Sequence, residues 1–192
     1  MKSLLTTLFL AALCSVTAQK TYYIGQHAEG GVIFHLFQDS LGKQHGLVVS
    51  LTNLTREAEW GDKEKDIESC ESSWDGRANT TAIMFATRDT TKAAGLCDSY
   101  VSEGLDDWYL PAIDELKILW DNRFNVNRTL SGASSFGTIS GATQIGRDAY
   151  WSSTELGSTT AYGLMFYSGM VDSFSGKNQT SYYVRAVRKF SL

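Results

Sequence analysis

The nonapeptide WYLPAIDEL, at residues 108–116, gives the clearest structural signal in this chain. Its Pro111 is the only proline present, and a fixed φ with no N–H suits the first turn of a helix. Asp114 and Glu115 follow in that turn, where the positive end of the helix dipole favours anions. The segment therefore predicts an amphipathic helix that packs on a sheet, with an apolar stripe formed by Ile113, Leu116, Leu119 and Trp120.

Two later stretches add to this signal: YWSSTE at residues 150–155 and YVRAVR at residues 183–188. In order and spacing, the three resemble the Lcl-type C-terminal domain of bacterial secreted and surface proteins, which is similar to C-type-lectin-like and formylglycine-generating-enzyme folds. The resemblance extends from about Gly25 to Arg188. It implies a C-type-lectin-like α+β domain whose first and last strands pair and whose chain ends lie close together. Fold similarity does not by itself transfer an activity.

The strand pattern agrees with an α+β class and a mostly antiparallel sheet. Runs rich in β-forming residues at 30–37 and 45–51 flank a turn and predict a hairpin. Ser168-Gly169 is a second hairpin signal between apolar runs. Further strands are predicted at residues 150–153, 161–167, 170–174 and 182–190, the last with Tyr182, Val184, Ala186 and Phe190 on one face.

One more helix is predicted before the nonapeptide, which makes two main helices. Asn79 can cap its start, and apolar residues then recur at three- and four-residue steps from Ile83 to Val101. This periodicity places Cys97 on the buried face of the helix. The intervening stretch, residues 52–78, is polar and predicts a long loop.

Residues 1–18 have the features of a signal peptide. Lys2 supplies the charged start, Leu4 to Leu13 form the apolar run, and small residues at 16–18 suit cleavage. We expect a secreted or cell-surface protein whose single mature domain spans residues 19–192.

Two features of the leader concern membrane attachment. Its apolar run is too short to cross a bilayer, so we expect no transmembrane segment. Lipid attachment at Cys14 is an alternative, although the bulky Leu13 precedes it where such sites prefer a small residue.

Charge and cysteine content narrow the classes of partner. Without Lys2 the chain keeps 16 basic residues of its 17 against 21 acidic ones, so its formal charge moves from -4 to -5. An acidic surface argues against nucleic acid as a partner. The mature chain has two cysteines, Cys70 and Cys97, and export predicts a disulfide between them. A metal or redox pair is the alternative, but it lacks the CxxC spacing.

The sequence offers little for catalysis, and we expect neither an enzyme nor a bound cofactor or metal. Relatives of the formylglycine-generating type use a cysteine pair late in the chain, and here no cysteine follows Cys97. The sequence strings typical of calcium-dependent lectins are absent. His27, His35 and His45 lack a metal-binding spacing and are interpreted as ordinary strand or turn residues.

Aromatic residues are the remaining resource for recognition. Trp60 and Trp74 lie among charged and turn residues and are candidates for partial exposure. The turn formed by Trp74, Asp75, Gly76 and Arg77 ranks first as a contact patch, with Trp60 as a further candidate. The Gly/Ser/Thr-rich loop at residues 131–147 ranks second.

Two functions follow as hypotheses. The first is an exported, non-enzymatic binding or adhesion module that recognises a glycan, a matrix component or a surface protein through its loops. The alternative is a self-assembling subunit of an extracellular filament or coat, in which copies of the chain are each other's partners.

Overall fold

The computed structural model describes residues 21–132 and 139–192 of the chain. The predicted leader at residues 1–18 lies outside the described residues, as does part of the predicted loop at 131–147. The described chain forms an α+β fold with two antiparallel sheets and three helices.

The first sheet contains four strands in the order β1-β2-β3-β7. Their bounds are β1 His27–Ala28, β2 Gly31–Gln38, β3 Gln44–Val49 and β7 Val187–Ser191. The predicted hairpin is confirmed as β2 and β3, with a register shift between Ile33 and His35. The last strand pairs with β3, so the expected pairing of first and last strands is wrong. Tyr22 nevertheless packs edge-on against Phe190, with ring centroids 5.0 Å apart.

The second sheet consists of β4 Ala149–Glu155, β5 Ala161–Met165 and β6 Met170–Asp172, in that order. The hairpin predicted at Ser168-Gly169 is confirmed between β5 and β6. Strand β6 is an edge of this sheet. A side-chain hydroxyl also links β4 to β5, since Ser152 Oγ donates to Tyr162 O at 2.8 Å.

The helix predicted from Asn79 is two helices, α1 Gly76–Thr87 and α2 Ala93–Asp98. Arg88 ends α1 in the left-handed conformation, with φ 53°, and this change of direction interrupts the three- and four-residue periodicity. The N-cap is Asp75, whose carboxylate accepts from Ala78 N at 3.0 Å. Asn79 is instead buried, and its side chain donates to Ser72 O.

The predicted helix behind the nonapeptide is α3, Ile113–Leu130. It begins two residues after Pro111, with Ala112 as its N-cap, so the proline lies just before the first turn rather than in it. Ile113, Leu116 and Leu119 are buried as the apolar stripe predicts. Among the described residues, no helix has the length and apolar character needed to cross a membrane.

The hydrophobic core is divided by the first sheet into two clusters. Alternate residues of a strand point to opposite faces, so Ile33 and Val48 join one cluster while Val32 and Val49 join the other. The strand predicted at residues 182–190 is observed only as β7, from Val187, although Tyr182, Val184, Ala186 and Phe190 all lie in the first cluster. Helix α3 covers the second cluster, and beside its first turn part of that sheet face lines a cavity.

Candidate ligand-binding site

A cavity of about 440 Å³ lies between the sheet and the adjacent starts of α1 and α3. Its volume is within the range of pockets that bind small molecules. The sheet supplies one wall, the first turns of α3 supply a second, and the Trp74–Arg77 turn supplies the rim. The lining residues are His35, Phe37, Leu47, Trp74, Asp75, Arg77, Tyr109, Asp114, Glu115, Ile118 and Lys189.

The sheet wall is built around Phe37. Its ring stacks with His35 at 5.4 Å and with His45 at 5.3 Å, and the Lys189 ammonium lies 5.3 Å from the same ring. Burial lowers the pKa of His35, which favours its neutral form. The register explains the grouping, because β2 pairs Phe37 with His45 and β3 pairs Leu47 with Lys189.

The helix wall contains a buried carboxylate, Glu115. It accepts hydrogen bonds from Tyr109 OH and from Ala112 N, each at 2.8 Å, so it caps α3 from within. Gly76 is required beside it: a Cβ at that position would lie 2.5 Å from both Glu115 Oε2 and Ala112 N. The starts of α1 and α3 are therefore held against each other by this contact.

Burial also determines the electrostatics of this wall. Desolvation raises the pKa of Glu115 to about 7, against the hydrogen bonds from Ala112 and Tyr109 that favour the carboxylate. Burial and the nearby Glu115 charge raise the pKa of Tyr109 well above its ordinary value. Tyr109 is thus a neutral donor, and Glu115 changes its charge near neutral pH.

The rim is formed by the residues that the sequence ranked first. Trp74 is 72% exposed, Asp75 caps α1, and Arg77 donates to the carbonyl and carboxylate of Asp107 at 3.0 and 3.2 Å. The Arg77 guanidinium also lies 5.3 Å from the ring centroid of Tyr109. The structure thus places Trp74, Asp75 and Arg77 together on one cavity.

Trp60 does not belong to this site, and its predicted exposure is wrong. It is 0% exposed, and its indole Nε1 donates to Ser152 O at 2.7 Å. The ammonium of the buried Lys177 lies 4.9 Å from its ring and pairs with the buried carboxylate of Glu155. Contacts with a distant part of the chain therefore bury a tryptophan that lies in a polar segment.

The predicted Cys70–Cys97 disulfide is not formed in the structure. Both residues are free, buried thiols. The Cys70 Sγ is directed to Ile67 O at 3.0 Å and to Glu155 Oε2 at 3.2 Å. Burial raises the pKa of both thiols, which disfavours the reactive thiolate.

The second predicted patch, at 131–147, is described only in part. Ser131 and residues 144–147 line a separate cavity of about 490 Å³ together with Arg123, Phe124 and Arg128. This cavity does not include the Trp74 rim.

Sequence reasoning missed the residues that form the cavity walls, namely His35, Phe37, Tyr109, Glu115 and Lys189. They come from β2, β7 and the segment around α3, so only the strand register and the helix packing bring them together. Cross-strand alternation could have placed Phe37, His45 and Lys189 on one face if the pairing had been known. Within residues 21–132 and 139–192, no three His, Cys, Asp or Glu side chains group in a way that could hold a metal ion.

The architecture defines the class of this protein as an α+β domain with an aromatic-lined cavity at the start of two helices. A sequence model of the Lcl C-terminal domain matches residues 52–188, so the chain belongs to the Lcl C-terminal domain family. No curated protein matches the chain.

Proposed function

We propose that this chain is an exported, non-enzymatic binding module that recognises a glycan, matrix or surface-protein ligand at the Trp74 cavity. The observation that carries the proposal is the exposed indole of Trp74 on the rim of a cavity lined by other aromatic rings. Exposing so large an apolar side chain is unfavourable in water, whereas interfaces favour tryptophan because it buries a large area with few rotatable bonds.

The chemistry of the rim supports binding rather than a role in stability. Asp75 and Arg77 already have intramolecular partners that fix their positions, while the Trp74 ring has most of its surface free. A rigid frame around a free aromatic ring is the arrangement that lowers the entropic cost of binding.

The test uses purified mature protein on arrays of glycans, matrix proteins and bacterial surface proteins, with and without EDTA. We expect at least one array component to bind, and this binding to persist in EDTA and to be lost in Trp74→Ala. Leu41→Ala is the control, because Leu41 is also an exposed apolar residue, at 91%, but does not line the cavity. Equal loss in both variants, or no loss in Trp74→Ala, would exclude this site.

We also propose that the fold is C-type-lectin-like, as the resemblance of its motifs implies. The support is the order of a hairpin, helices and a second antiparallel sheet, with the last strand returning to the first sheet. A crystal structure compared with lectin-like domains would test this directly, and a different strand connectivity would contradict it.

Self-assembly is the second candidate, and a specific observation favours it. Strand β6 is an edge strand on which Met170 is exposed, and Phe174, just beyond it, is 90% exposed. An open edge with exposed apolar side chains is a template for pairing with another chain.

Light scattering over a concentration series separates the two candidates. Assembly predicts long particles that grow with concentration and that Val171→Lys prevents, because an edge charge opposes strand pairing. Leu41→Lys is the control, since it adds the same charge away from β6. A constant monomeric mass would exclude assembly through this edge.

A further inference from the structure

A second groove continues the Trp74 cavity on the other side of the rim. It has a volume of about 960 Å³ and runs between α1 and the loop at residues 66–69. One wall is apolar and consists of Ala78, Ala82, Phe85 and Ala86. Phe85 is 82% exposed, so this wall carries its own free aromatic ring.

Asp75 and Arg77 line both the cavity and the groove. The two depressions therefore meet at the same rim, with Trp74 on one side and Phe85 on the other. A ligand that follows this surface must be extended, and it contacts an aromatic ring in each half.

In the part of the chain that the structure describes, the charged side chains that lack an ion-pair or hydrogen-bond partner have opposite signs in the cavity and in the groove. In the cavity, Asp75, Asp114 and Glu115 have hydrogen-bond partners, while no carboxylate among the described residues pairs with Lys189. In the groove, the exposed Asp66 and Glu68 have no ion-pair or hydrogen-bond partner for their side chains among the described residues. A complementary ligand is acidic where it meets Lys189 and basic where it meets Asp66 and Glu68.

This combination distinguishes between classes of ligand. A polysaccharide can supply anions and ring faces, but it has no apolar side chains for the alanine wall and rarely carries cations. A polypeptide supplies acidic, apolar and basic side chains along one extended chain. Complementary charges of this kind give specificity and fix the register of the bound chain.

We propose that the joined cavity and groove bind an extended polypeptide segment of a surface or matrix protein, with an acidic end at Lys189 and a basic end at Asp66 and Glu68. This inference rests on the proposed function and selects one ligand class within it. The apolar residues of the segment lie between these ends and contact Trp74 and Phe85.

The experiment is a selection of random dodecapeptides displayed on phage, with the purified mature protein as bait. We expect enriched peptides with acidic residues at one end, basic residues at the other and apolar residues between them. The double variant Asp66→Lys with Glu68→Lys should bind these peptides at least about tenfold more weakly, because two attractive charges of the groove become repulsive.

Charge reversal also gives a readout that loss of folding cannot imitate. Selection against the double variant should enrich acidic residues in place of the basic end, and selection against Lys189→Glu should enrich basic residues in place of the acidic end. Asp121→Lys is the matched control, since Asp121 is exposed on α3 and lines neither depression. It should leave the selected peptides unchanged.

The outcomes separate this inference from the function on which it rests. No enriched peptide, peptides without charge polarity, or no response to the charge reversals would overturn the polypeptide assignment. A glycan that binds in a Trp74-dependent way, with no effect of Asp66 or Glu68, would do so as well while the binding module stands. Unchanged array binding in Trp74→Ala would overturn both.

Discussion

Trp60 and Trp74 lie in the same polar segment, yet one is fully buried and the other is 72% exposed. The local sequence around the two residues is similar in character, with charged residues and turn formers on both sides. Their different environments come from the rest of the chain: Trp60 bonds to Ser152 and contacts Lys177, whereas Trp74 projects from the turn before α1. Burial of an aromatic residue in a loop is thus decided by distant partners.

A buried carboxylate lies near each tryptophan, and the two carboxylates have different polar partners. Beside Trp60, Glu155 has a cation in direct contact, the Lys177 ammonium. In the wall of the Trp74 cavity, Glu115 accepts hydrogen bonds from neutral donors, among them Tyr109 OH and Ala112 N. The first carboxylate has a cation in direct contact, whereas burial raises the pKa of the second to about 7.

The largest effect is expected for Trp60→Ala. Removing a fully buried indole leaves a cavity and should lower the free energy of unfolding by about 3–5 kcal/mol. Denaturant unfolding followed by circular dichroism measures this change. A loss below about 1 kcal/mol would mean that the indole is not packed in the core, and the contrast with Trp74 would disappear.

Lys177→Met should follow closely, at about 3–5 kcal/mol, because it leaves the Glu155 carboxylate buried without its cation. Adding Glu155→Leu should recover part of the loss, since the unpaired charge is then removed. Recovery is incomplete because Ile67 N and Lys65 O lose their partners. The same denaturant series tests both variants, and no recovery would show that the charge is not the cause.

A smaller, pH-dependent effect is expected at Glu115. Its folded pKa of about 7 lies above the ordinary value of 4.5, so the folded state binds the proton more tightly than the unfolded state. The resulting stabilisation is complete below pH 4.5 and is lost as the pH rises through about 7. The free energy of unfolding of the native protein, minus that of Glu115→Gln, should therefore fall across this interval. A flat difference would contradict the assignment.

The smallest effect on stability is expected for Trp74→Ala, within about 0.5 kcal/mol, as for other surface substitutions. The same variant should lose array binding, so its effect on binding is distinguished from its effect on stability. Thermal unfolding provides the measurement. A large fall in melting temperature would mean that Trp74 packs in the fold and that the binding assignment has no basis.

The elements with a strong local signal were predictable from the sequence. The hairpin of β2 and β3 and the stripe of α3 were found because strand alternation and helix periodicity depend on neighbouring residues alone. The grouping of Trp74, Asp75 and Arg77 on one surface was predictable for a similar reason, since they are consecutive or nearly so, while their role in binding stays a prediction. Their proximity to Phe37, Tyr109 and Lys189 depends on register and packing, which no local pattern contains.

The predictions that failed are of the same non-local kind. The sequence predicts one continuous helix from Asn79 because apolar spacing resumes after Arg88, while the left-handed conformation of Arg88 leaves no mark on the apolar pattern. Cysteine parity predicted a disulfide, but the orientation of the Cys70 thiol toward Glu155 depends on how the loop at 66–70 meets β4. The predicted exposure of Trp60 was wrong because its partners lie at residues 152 and 177.

The close contact at Gly76 has a consequence for how such a domain can diversify. Because no side chain fits between the starts of α1 and α3, the direction in which Trp74 and Asp75 lead into α1 is set by the close contacts of Gly76. The surface positions around it, such as Asp66, Glu68 and Lys189, are exposed and carry no comparable constraint. Substitutions at these positions can therefore change which ligand sequence the domain prefers while its fold stays intact.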